Sequence, residues 1–432
     1  MIKIVCAFIL TCIWSQGPAH AQEVVGQWSG TAVTGTEDTR LILEISGTGN
    51  ALSASMSLPD IGVSGWPAQT VKKSGNLLEI IFPSDSGPQT MLFDIHENRL
   101  SGTWHENRFT QDAKLELGRN EAQILKRERP IEVAGSAGKL GATLIMPRCT
   151  DGCHGVVFLH GSGPQPRDSN RFAANELADH GIASIIYDKR GVGESEGKLE
   201  GVTFSDLASD AIAIAEELKR QSGIISVGFF GHSQGGWIAS LAGSTWAETA
   251  FVITSAGPAV PPSREAEWDV VRRLRAEGYS SKIEDNAREI IQFWHSGVRT
   301  GSWNGFDNAV SEIRSEDWFS AARFDAFLAR PSQSFIASYG AFMDYDPIPS
   351  LTSQTSPTYA ILAPDDESID ARETEAILRN LQQEGHDITL KIYSGFDHSM
   401  RRLGPGGERL RWPEHPFDYF SSQVNFIQAR AN

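Results

Sequence analysis

The stretch that decides the fold is ISVGFFGHSQGGWIASLAG, residues 225–243. Its apolar first part, Ile225 to Phe230, predicts a buried strand, and Gly236 to Ala242 predicts a helix. Between them, Gly231-His232-Ser233-Gln234-Gly235 has the form G-x-S-x-G, typical of a strained strand-to-helix turn that exposes a nucleophilic serine. Both glycines are needed because side chains would crowd so tight a turn. Ser233 is therefore the candidate nucleophile.

A serine that attacks a carbonyl also needs donors for the oxyanion that develops. The turn aims the backbone N–H of Gln234 at the start of the helix, where negative charge is stabilised. The second donor should come from the turn that follows the apolar run ending in His160-Gly161-Ser162-Gly163-Pro164. We expect Ser162 to supply this N–H, with Gly161 as the alternative.

A serine hydroxyl is a weak nucleophile at neutral pH, so it needs a base, and the base needs an orienting carboxylate. In this arrangement the chain order is serine, acid, histidine. His398 follows the last predicted strand, Ile388–Tyr393, and is the candidate base. His160 and His232 lie beside the two turns, and we expect them to support these loops rather than to transfer protons.

The acid should follow the strand predicted at Thr358–Leu362. The next residues offer three carboxylates, Asp365, Asp366 and Asp370. We choose Asp366 because, with Ile369 three positions later, it resembles the D-x-x-V-like pattern that many hydrolases of this kind have here, in which the apolar residue anchors the turn. Asp365 is the nearest alternative.

From about residue 131 onward, short apolar runs alternate with amphipathic segments. Apolar strands separated by helices indicate a parallel sheet covered on both faces. The other predicted strands are Ile131–Ala134, Leu140–Met146, Val156–His160, Ile182–Asp188 and Phe251–Ser255, and the predicted helices are Arg171–His180, Phe204–Arg220, Ala371–Glu384 and Pro416–Arg430.

The alternation stops at about residues 260–345, where four segments have helical texture: Glu265–Glu277, Lys282–Gly297, Ala309–Phe327 and Ser332–Met343. This insertion follows a strand whose end faces the serine, so we expect a helical lid over the site.

Residues 22 to about 119 have short alternating runs separated by turn signals, which predict a small antiparallel barrel or sandwich. Trp28 and Trp104 lie in similar settings near its first and late strands. We expect them to pack in the core or at its rim, and carbohydrate binding is the alternative. The charged stretch Arg119–Pro130 that follows predicts a linker or domain edge.

The 432 residues favour two domains, and the net charge of −16 argues against nucleic acid or an anionic membrane as a partner. Residues 1–21 resemble a secretory signal, with Lys3, an apolar stretch and Ala19-His20-Ala21 as the cleavage motif. We therefore expect an exported protein, periplasmic or secreted, with no stable membrane insertion after cleavage.

Four cysteines are present, and two of them would leave with the signal. In an exported chain, Cys149 and Cys153 are expected to form a disulfide that closes a surface turn. A metal site that uses both cysteines and His154 is the alternative, although three ligands are fewer than a structural zinc site takes.

Together, HGSGPQPRDS, YDKRGVGESEG, GHSQGG, SAGP, YDPIPSL and the Asp366/His398 pair resemble bacterial α/β-hydrolases related to serine aminopeptidases and dienelactone hydrolases. The resemblance implies an α/β-hydrolase domain at residues 126–432, preceded by an all-β domain at 22–125. The front half, with GQWSGTA and LSGTW, resembles a domain found before such hydrolases in exported proteins. Asp188, Arg190, Gly191 and Gly193 match the family's D-x-R-G-x-G turn, which is usually structural.

These observations predict a serine hydrolase that cleaves small carboxylic esters through an acyl-enzyme and needs neither cofactor nor metal. An aminopeptidase or amidase is the first alternative, and it would use a lid carboxylate, Glu265, Glu267 or Asp269, to bind a substrate amine. A binding protein with an inactive site is the second alternative.

Overall fold

The computed structural model describes residues 24–33, 38–48, 51–107, 111–119, 126–148, 152–303, 305–324, 331–412 and 414–430. The predicted signal, residues 1–21, and Cys149 lie outside these ranges. The described residues form two compact units: one lies within residues 24–58 and 65–119, the other within residues 59–64 and 126–430. Among the helices in the described ranges, none combines the length and the apolar character that a membrane span requires.

The first unit is built on one curled antiparallel sheet. In its described part the strands are β1 (Gly26–Val33), β2 (Asp38–Thr48), β3 (Ala51–Leu58), β4 (Val63–Pro67), β5 (Thr70–Ser74), β6 (Leu77–Phe82), β7 (Gln89–His96), β8 (Arg99–His105) and β9 (Ala113–Arg119). They are ordered β4-β3-β2-β1-β9-β8-β7-β6-β5. The sheet curls until the chain before β5 meets β3, where Ala68 N donates to Ala54 O at 2.8 Å.

Alternating side chains fill the inside of this sheet. Along β7, for example, buried and less buried residues alternate, as expected for a strand with one face on a core. Trp28 and Trp104 are both buried, at 0% and 3% exposure, and Trp28 Nε1 donates to Val24 O at 2.8 Å. Core packing of the two tryptophans is therefore confirmed, and a carbohydrate surface made by them is wrong.

The second unit contains a sheet of eight strands within the described ranges. These are β10 (Lys126–Gly135), β11 (Gly138–Pro147), β12 (Cys153–Leu159), β13 (Ala183–Tyr187), β14 (Ile224–His232), β15 (Thr249–Ser255), β16 (Thr358–Leu362) and β17 (Ile388–Ile392). Their order is β10-β11-β13-β12-β14-β15-β16-β17. The pairs from β13 to β17 are parallel, whereas β10 and β11 are antiparallel to their neighbours.

The second unit has helices on both faces of this sheet, as the apolar runs predict, and further helices in an insertion. They are α1 (Arg171–Asp179), α2 (Phe204–Lys219), α3 (Gln234–Thr245), α4 (Pro262–Ala276), α5 (Ser281–Thr300), α6 (Phe306–Ile313), α7 (Asp317–Ala321), α8 (Gln333–Gly340), α9 (Ile348–Ser353), α10 (Ala371–Gln383) and α11 (Tyr419–Arg430). Val156 and Phe158 of β12 join the core under α1, α10 and α11, whereas Val157 and Leu159 join the core under α2 and α3. This period of two puts apolar residues on both faces of a buried strand.

Helices α4 to α8 form the insertion between β15 and β16. They have a core of their own, which includes Leu274, Ile291, Trp294, Trp318 and Met343. The single helix predicted at Ala309–Phe327 is wrong: the structure has α6 and α7 there, because Glu316 is extended and interrupts the helix.

Candidate active site

The predicted site residues follow strands that end at one edge of the sheet. Because β12, β14, β16 and β17 are parallel to their neighbours in the sheet, their carboxyl ends share that edge. Ser162 follows β12, Ser233 follows β14, Asp366 follows β16, and His398 follows β17. Ligand sites of open α/β sheets occur at this edge.

Ser233 occupies a strained backbone conformation at the tip of the turn. Its φ is 55° and its ψ is −124°, a combination that non-glycine residues rarely adopt and that functional sites maintain. Two hydrogen bonds hold the turn: Ser233 N donates to Ser255 O at 3.0 Å, and Gly236 N donates to Ser233 O at 2.8 Å.

The glycines of the motif are required by close backbone contacts. A β-carbon at Gly231 would lie 2.0 Å from the Gly235 carbonyl oxygen. One at Gly235 would lie 2.8 Å from the Leu159 carbonyl oxygen. Such distances are shorter than real carbon contacts, so a side chain at either position would force the backbone apart. Both glycines are therefore required for the steric reason that the sequence predicts.

The imidazole of His398 is paired with a buried carboxylate. His398 Nδ1 lies 2.8 Å from Asp366 Oδ2 and 3.0 Å from Oδ1. The Asp366 side chain is fully buried, and that of His398 is 14% exposed. Asp366 Oδ1 also accepts hydrogen bonds from Ser368 N, at 2.7 Å, and Ile369 N, at 3.1 Å. The carboxylate is thereby fixed before any substrate binds, and Nε2 is the ring nitrogen that remains for a proton transfer.

The other two acid candidates are engaged elsewhere. Asp365 is exposed, and its Oδ2 accepts a hydrogen bond from Gly395 N at 2.7 Å. Asp370 caps α10, because its Oδ1 accepts from Glu373 N at 2.9 Å. Of the three carboxylates, Asp366 is the one that the structure places on His398. Ile369 is buried, as an anchor of this turn should be.

Two further histidines lie near the turns and are held neutral. The rings of His232 and His398 are 4.9 Å apart, and His232 Nδ1 lies 3.1 Å from Ser255 O. Burial, with a contribution from His398, lowers the pKa of His232 to about 4. Burial and the nearby Lys189 lower the pKa of His160 to about 3. Neither ring therefore carries a positive charge at neutral pH that would oppose protonation of His398.

The turn after β12 is held next to the serine. A β-carbon at Gly161 would lie 3.6 Å from the β-carbon of Ser233, so this turn borders the nucleophile. The Nζ of Lys189 donates to Gly161 O at 2.9 Å, to Gly163 O at 3.2 Å and to Gln234 Oε1 at 2.7 Å. One ammonium therefore joins the two segments from which the oxyanion donors are predicted to come.

The neighbours of Lys189 in the D-x-R-G-x-G turn have structural contacts, as expected. Asp188 Oδ2 accepts from Arg167 Nη2 at 2.6 Å, and its Oδ1 accepts from Arg167 N at 2.7 Å. Burial opposes ionisation of Asp188, but these hydrogen bonds outweigh it and lower its pKa. Arg190 Nε donates to Asp210 Oδ2 at 2.6 Å, and both side chains are buried.

A charged cavity of about 900 Å³ lies between α4 and the loop that carries Asp366. Glu265 of α4 lines it and is 7% exposed. Its Oε2 accepts from Asp370 N at 2.7 Å, whereas its Oε1 has no hydrogen-bond partner among the described residues. Burial raises the pKa of Glu265 to about 8, although the hydrogen bond from Asp370 N acts to lower it.

The other two candidate amine-binding carboxylates are placed differently. Asp269 is paired with Arg272, at 3.2 Å, and with Arg273. Glu267 lines a different cavity, and burial raises its pKa.

Cys153 is disulfide-bonded, and the cysteine predicted as its partner, Cys149, lies outside the described residues. The pairing of the two therefore stays a prediction. His154 Nδ1 lies 2.8 Å from Ser226 Oγ, a contact that engages the third residue of the alternative metal site.

Comparisons with known proteins give a family match and several similar proteins. Residues 152–285 match the family model described as serine aminopeptidase, S33. A non-heme chloroperoxidase of Burkholderia pyrrocinia is 24% identical over 255 residues, which cover 57% of this chain and 85% of that protein. Protein ABHD12B of Homo sapiens is 38% identical over 91 residues, and the chain spans 24% of its length.

Among solved structures, an esterase of Pyrococcus furiosus is similar with a TM-score of 0.46 and 14% identity, over 71% of this chain and 92% of that one. The esterase EaEST of Exiguobacterium antarcticum is similar with a TM-score of 0.41 and 18% identity, over 63% and 93%. With the parallel sheet and the strained serine turn, the family match supports a serine α/β hydrolase. The α/β architecture predicted from the sequence, a largely parallel sheet whose strands alternate with helices, is confirmed in the second unit.

Proposed function

We propose that this protein is an exported carboxylesterase in which Ser233, His398 and Asp366 form a catalytic triad. The observation that carries the proposal is the hydrogen bond between Asp366 and His398. These two residues follow β16 and β17, whose carboxyl ends lie at the same edge of the sheet as the strained turn of Ser233. The 4.9 Å separation of the His232 and His398 rings supports it, because His232 immediately precedes the serine. The proposed substrate is a small-molecule ester.

In the proposed reaction, Ser233 Oγ forms a bond to the ester carbonyl carbon while its proton passes to His398 Nε2. Asp366 holds the ring with Nδ1 protonated and stabilises the imidazolium that results. The backbone N–H groups of Gln234 and Ser162 donate to the oxyanion, each worth about 3 kcal/mol. The carbon–oxygen bond to the alcohol then breaks, and His398 returns the proton to that alcohol. Water releases the acid by the same steps.

The insertion of α4 to α8 is proposed to act as a lid. It begins after β15 and ends before α9, the short helix that leads into β16. The strands before and after it are therefore neighbours at the edge where the site lies. A lid that excludes water would strengthen the electrostatic interactions on which the chemistry depends.

The test is Ser233→Ala. This variant should lose hydrolysis of short p-nitrophenyl esters and labelling by a fluorophosphonate, while its thermal unfolding midpoint stays close to that of the unaltered protein. Labelling that persists without the Ser233 hydroxyl would refute the assignment of the nucleophile.

An aminopeptidase is the second candidate, and Glu265 is the observation that favours it. A buried carboxyl with one unpartnered oxygen on a cavity wall is suited to receive a substrate ammonium, whose charge would restore its ionisation. Turnover of amino-acyl anilides should then exceed that of matched esters and should fall in Glu265→Gln. If esters are turned over faster than the matched anilides, and Glu265→Gln does not change ester turnover, the result supports the proposal of a carboxylesterase.

A further inference from the structure

A buried ammonium behind the proposed oxyanion hole has no role in the reaction steps above. Lys189 follows β13 and is 4% exposed. Its three acceptors are neutral oxygens from two separate segments: the carbonyls of Gly161 and Gly163, and the side-chain amide of Gln234. A buried charge costs free energy unless its hydrogen bonds are satisfied, and these three acceptors match the three N–H groups of the ammonium.

These hydrogen bonds determine which way the turn presents its amides. In a trans peptide the carbonyl and the following N–H point in opposite directions, and no described peptide bond is cis. Lys189 holds the Gly161 carbonyl, which directs the N–H of Ser162 away from the ammonium. Gln165 Nε2 likewise holds the Ser162 carbonyl, at 3.1 Å, which directs the N–H of Gly163 away from Gln165.

The same ammonium reaches the first residue of α3. Gln234 is buried, and its side chain is fixed by the 2.7 Å hydrogen bond from Lys189. The backbone N–H of Gln234 is the other predicted oxyanion donor, directly after Ser233. A change in the position of Nζ would therefore shift both donors relative to each other.

We propose that Lys189 is a positioning residue that sets the spacing and direction of the Ser162 and Gln234 N–H donors. The inference rests on the proposed function, because it needs an oxyanion to form there. A positive charge behind the two donor segments also polarises their peptide groups toward a developing anion.

The charge state of Lys189 suits this role at neutral pH. Burial lowers the pKa of Lys189 to about 8, so the ammonium form predominates at pH 7. Asp188, the adjacent carboxylate, is engaged by Arg167 rather than by Lys189. The charge on Lys189 is thus shared among amide oxygens instead of being neutralised by an acid.

The test compares Lys189→Met with Lys198→Met, which removes an exposed lysine from the following turn. We expect Lys189→Met to lower kcat for a p-nitrophenyl ester about 100-fold, the effect of losing one oxyanion donor. KM should stay within about threefold, because the contact acts on the transition state. Affinity for a trifluoromethyl ketone, which forms a tetrahedral oxyanion with the serine, should fall by a similar factor. Lys198→Met should match the unaltered protein.

A second variant covers the case in which Lys189→Met does not fold. Gln234→Ala keeps the backbone N–H but removes one of the three acceptors of Lys189, and it should lower kcat about tenfold through misplacement of the donors. Again the trifluoromethyl ketone affinity should fall with kcat, and KM should not change.

The inference is overturned if the folded variants keep kcat within about threefold, or if kcat falls while affinity for the trifluoromethyl ketone is unchanged. If Lys189 served only in folding, kcat and the unfolding midpoint would fall while the affinity for the trifluoromethyl ketone stayed unchanged. Absence of ester turnover and of Ser233 labelling in the unaltered protein would instead refute the proposed function, and this inference with it.

Discussion

Replacing Asp366 with asparagine removes the buried charge beside His398 and puts a donor in its place. Because Asp366 Oδ1 accepts from Ser368 N and Ile369 N, the asparagine carbonyl must stay there. The amide NH2 then takes the position of Oδ2, 2.8 Å from His398 Nδ1, where a protonated Nδ1 would meet it donor to donor. The ring is driven to carry its proton on Nε2, where it cannot accept the proton of Ser233.

The magnitude follows from the same geometry. At 2.8 Å, with an effective dielectric constant of about 20, the carboxylate and an imidazolium attract by about 6 kcal/mol. Loss of the orienting acid in a serine triad lowers kcat by about 10⁴, which is about 5 kcal/mol. We therefore expect Asp366→Asn to lower kcat for a p-nitrophenyl ester by about four orders of magnitude, with little change in fold.

The matched control is Asp365→Asn. Asp365 is the exposed neighbour, and an asparagine there can still accept from Gly395 N. Its kcat should stay within about threefold of the unaltered protein. The reasoning is refuted if Asp366→Asn keeps more than about a tenth of the activity, or if Asp365→Asn loses more than Asp366→Asn. Thermal unfolding of both variants checks that the fold is intact.

Two further predictions concern stability. The pKa of Glu265 is raised from 4.5 to about 8. The stability that the protonated Glu265 contributes to the fold is therefore fully present below pH 4.5 and is lost as the pH rises through about 8. Within that window the unfolding free energy should fall by up to about 1.4 kcal/mol per pH unit, and urea unfolding of Glu265→Gln at pH 5 and pH 8 should show a smaller fall. Gly235→Ala should lower the unfolding midpoint and the activity, because its β-carbon would meet the Leu159 carbonyl at 2.8 Å; Gly118→Ala, with nothing within 4 Å, should do neither. Equal midpoints for the two alanine variants would contradict the steric argument.

The sheet of the second unit could be predicted because its strands are apolar runs bounded by polar turns. Thr358–Leu362 is both the predicted and the observed range of β16. Strand β10 begins at Lys126 rather than Ile131, because pairing with β11 extends the ladder through charged residues, as far as Lys126 opposite Pro147. The segment predicted as a linker is thus partly an edge strand.

The alternating runs that predict the antiparallel unit are QWSGTAV, LILEIS, ALSASMSL, LLEIIFP, QTMLFDI and RLSGTWH, and none of them corresponds to β4, β5 or β9. The sequences of β4 and β5, VSGWP and TVKKS, contain few apolar residues, and neither strand buries a full face. Strand β9, AKLELGR, does alternate buried and exposed residues, so its period of two was the signal that could have found it. Pairing with neighbours distant in sequence, as in Trp28 opposite Arg119, decides such short strands.

In the candidate site, the residues that could be predicted are those fixed by local sequence. The glycines around Ser233 and the strand ends before Asp366 and His398 are visible without coordinates. The choice between Asp366 and Asp365 depends on which side chain the turn buries, and residue type alone carries no such information. The contacts of Lys189 join residues 26 to 45 positions away, so they exist only once the sheet has formed. A charged residue directly after a buried strand was the one signal in the sequence.

Two buried charges lie behind the groups that are proposed to react. Asp366 lies behind His398, and Lys189 lies behind the turn that borders Ser233. The proposed transition state develops a positive charge on the imidazole and a negative charge on the substrate oxygen. The negative Asp366 thus lies next to the imidazole that becomes positive, and the positive Lys189 lies behind the donors to the oxygen that becomes negative. Hydrogen bonds within the fold hold both buried charges in place. Such an arrangement stabilises charge separation without reorganisation during the reaction, because its cost was met when the protein folded.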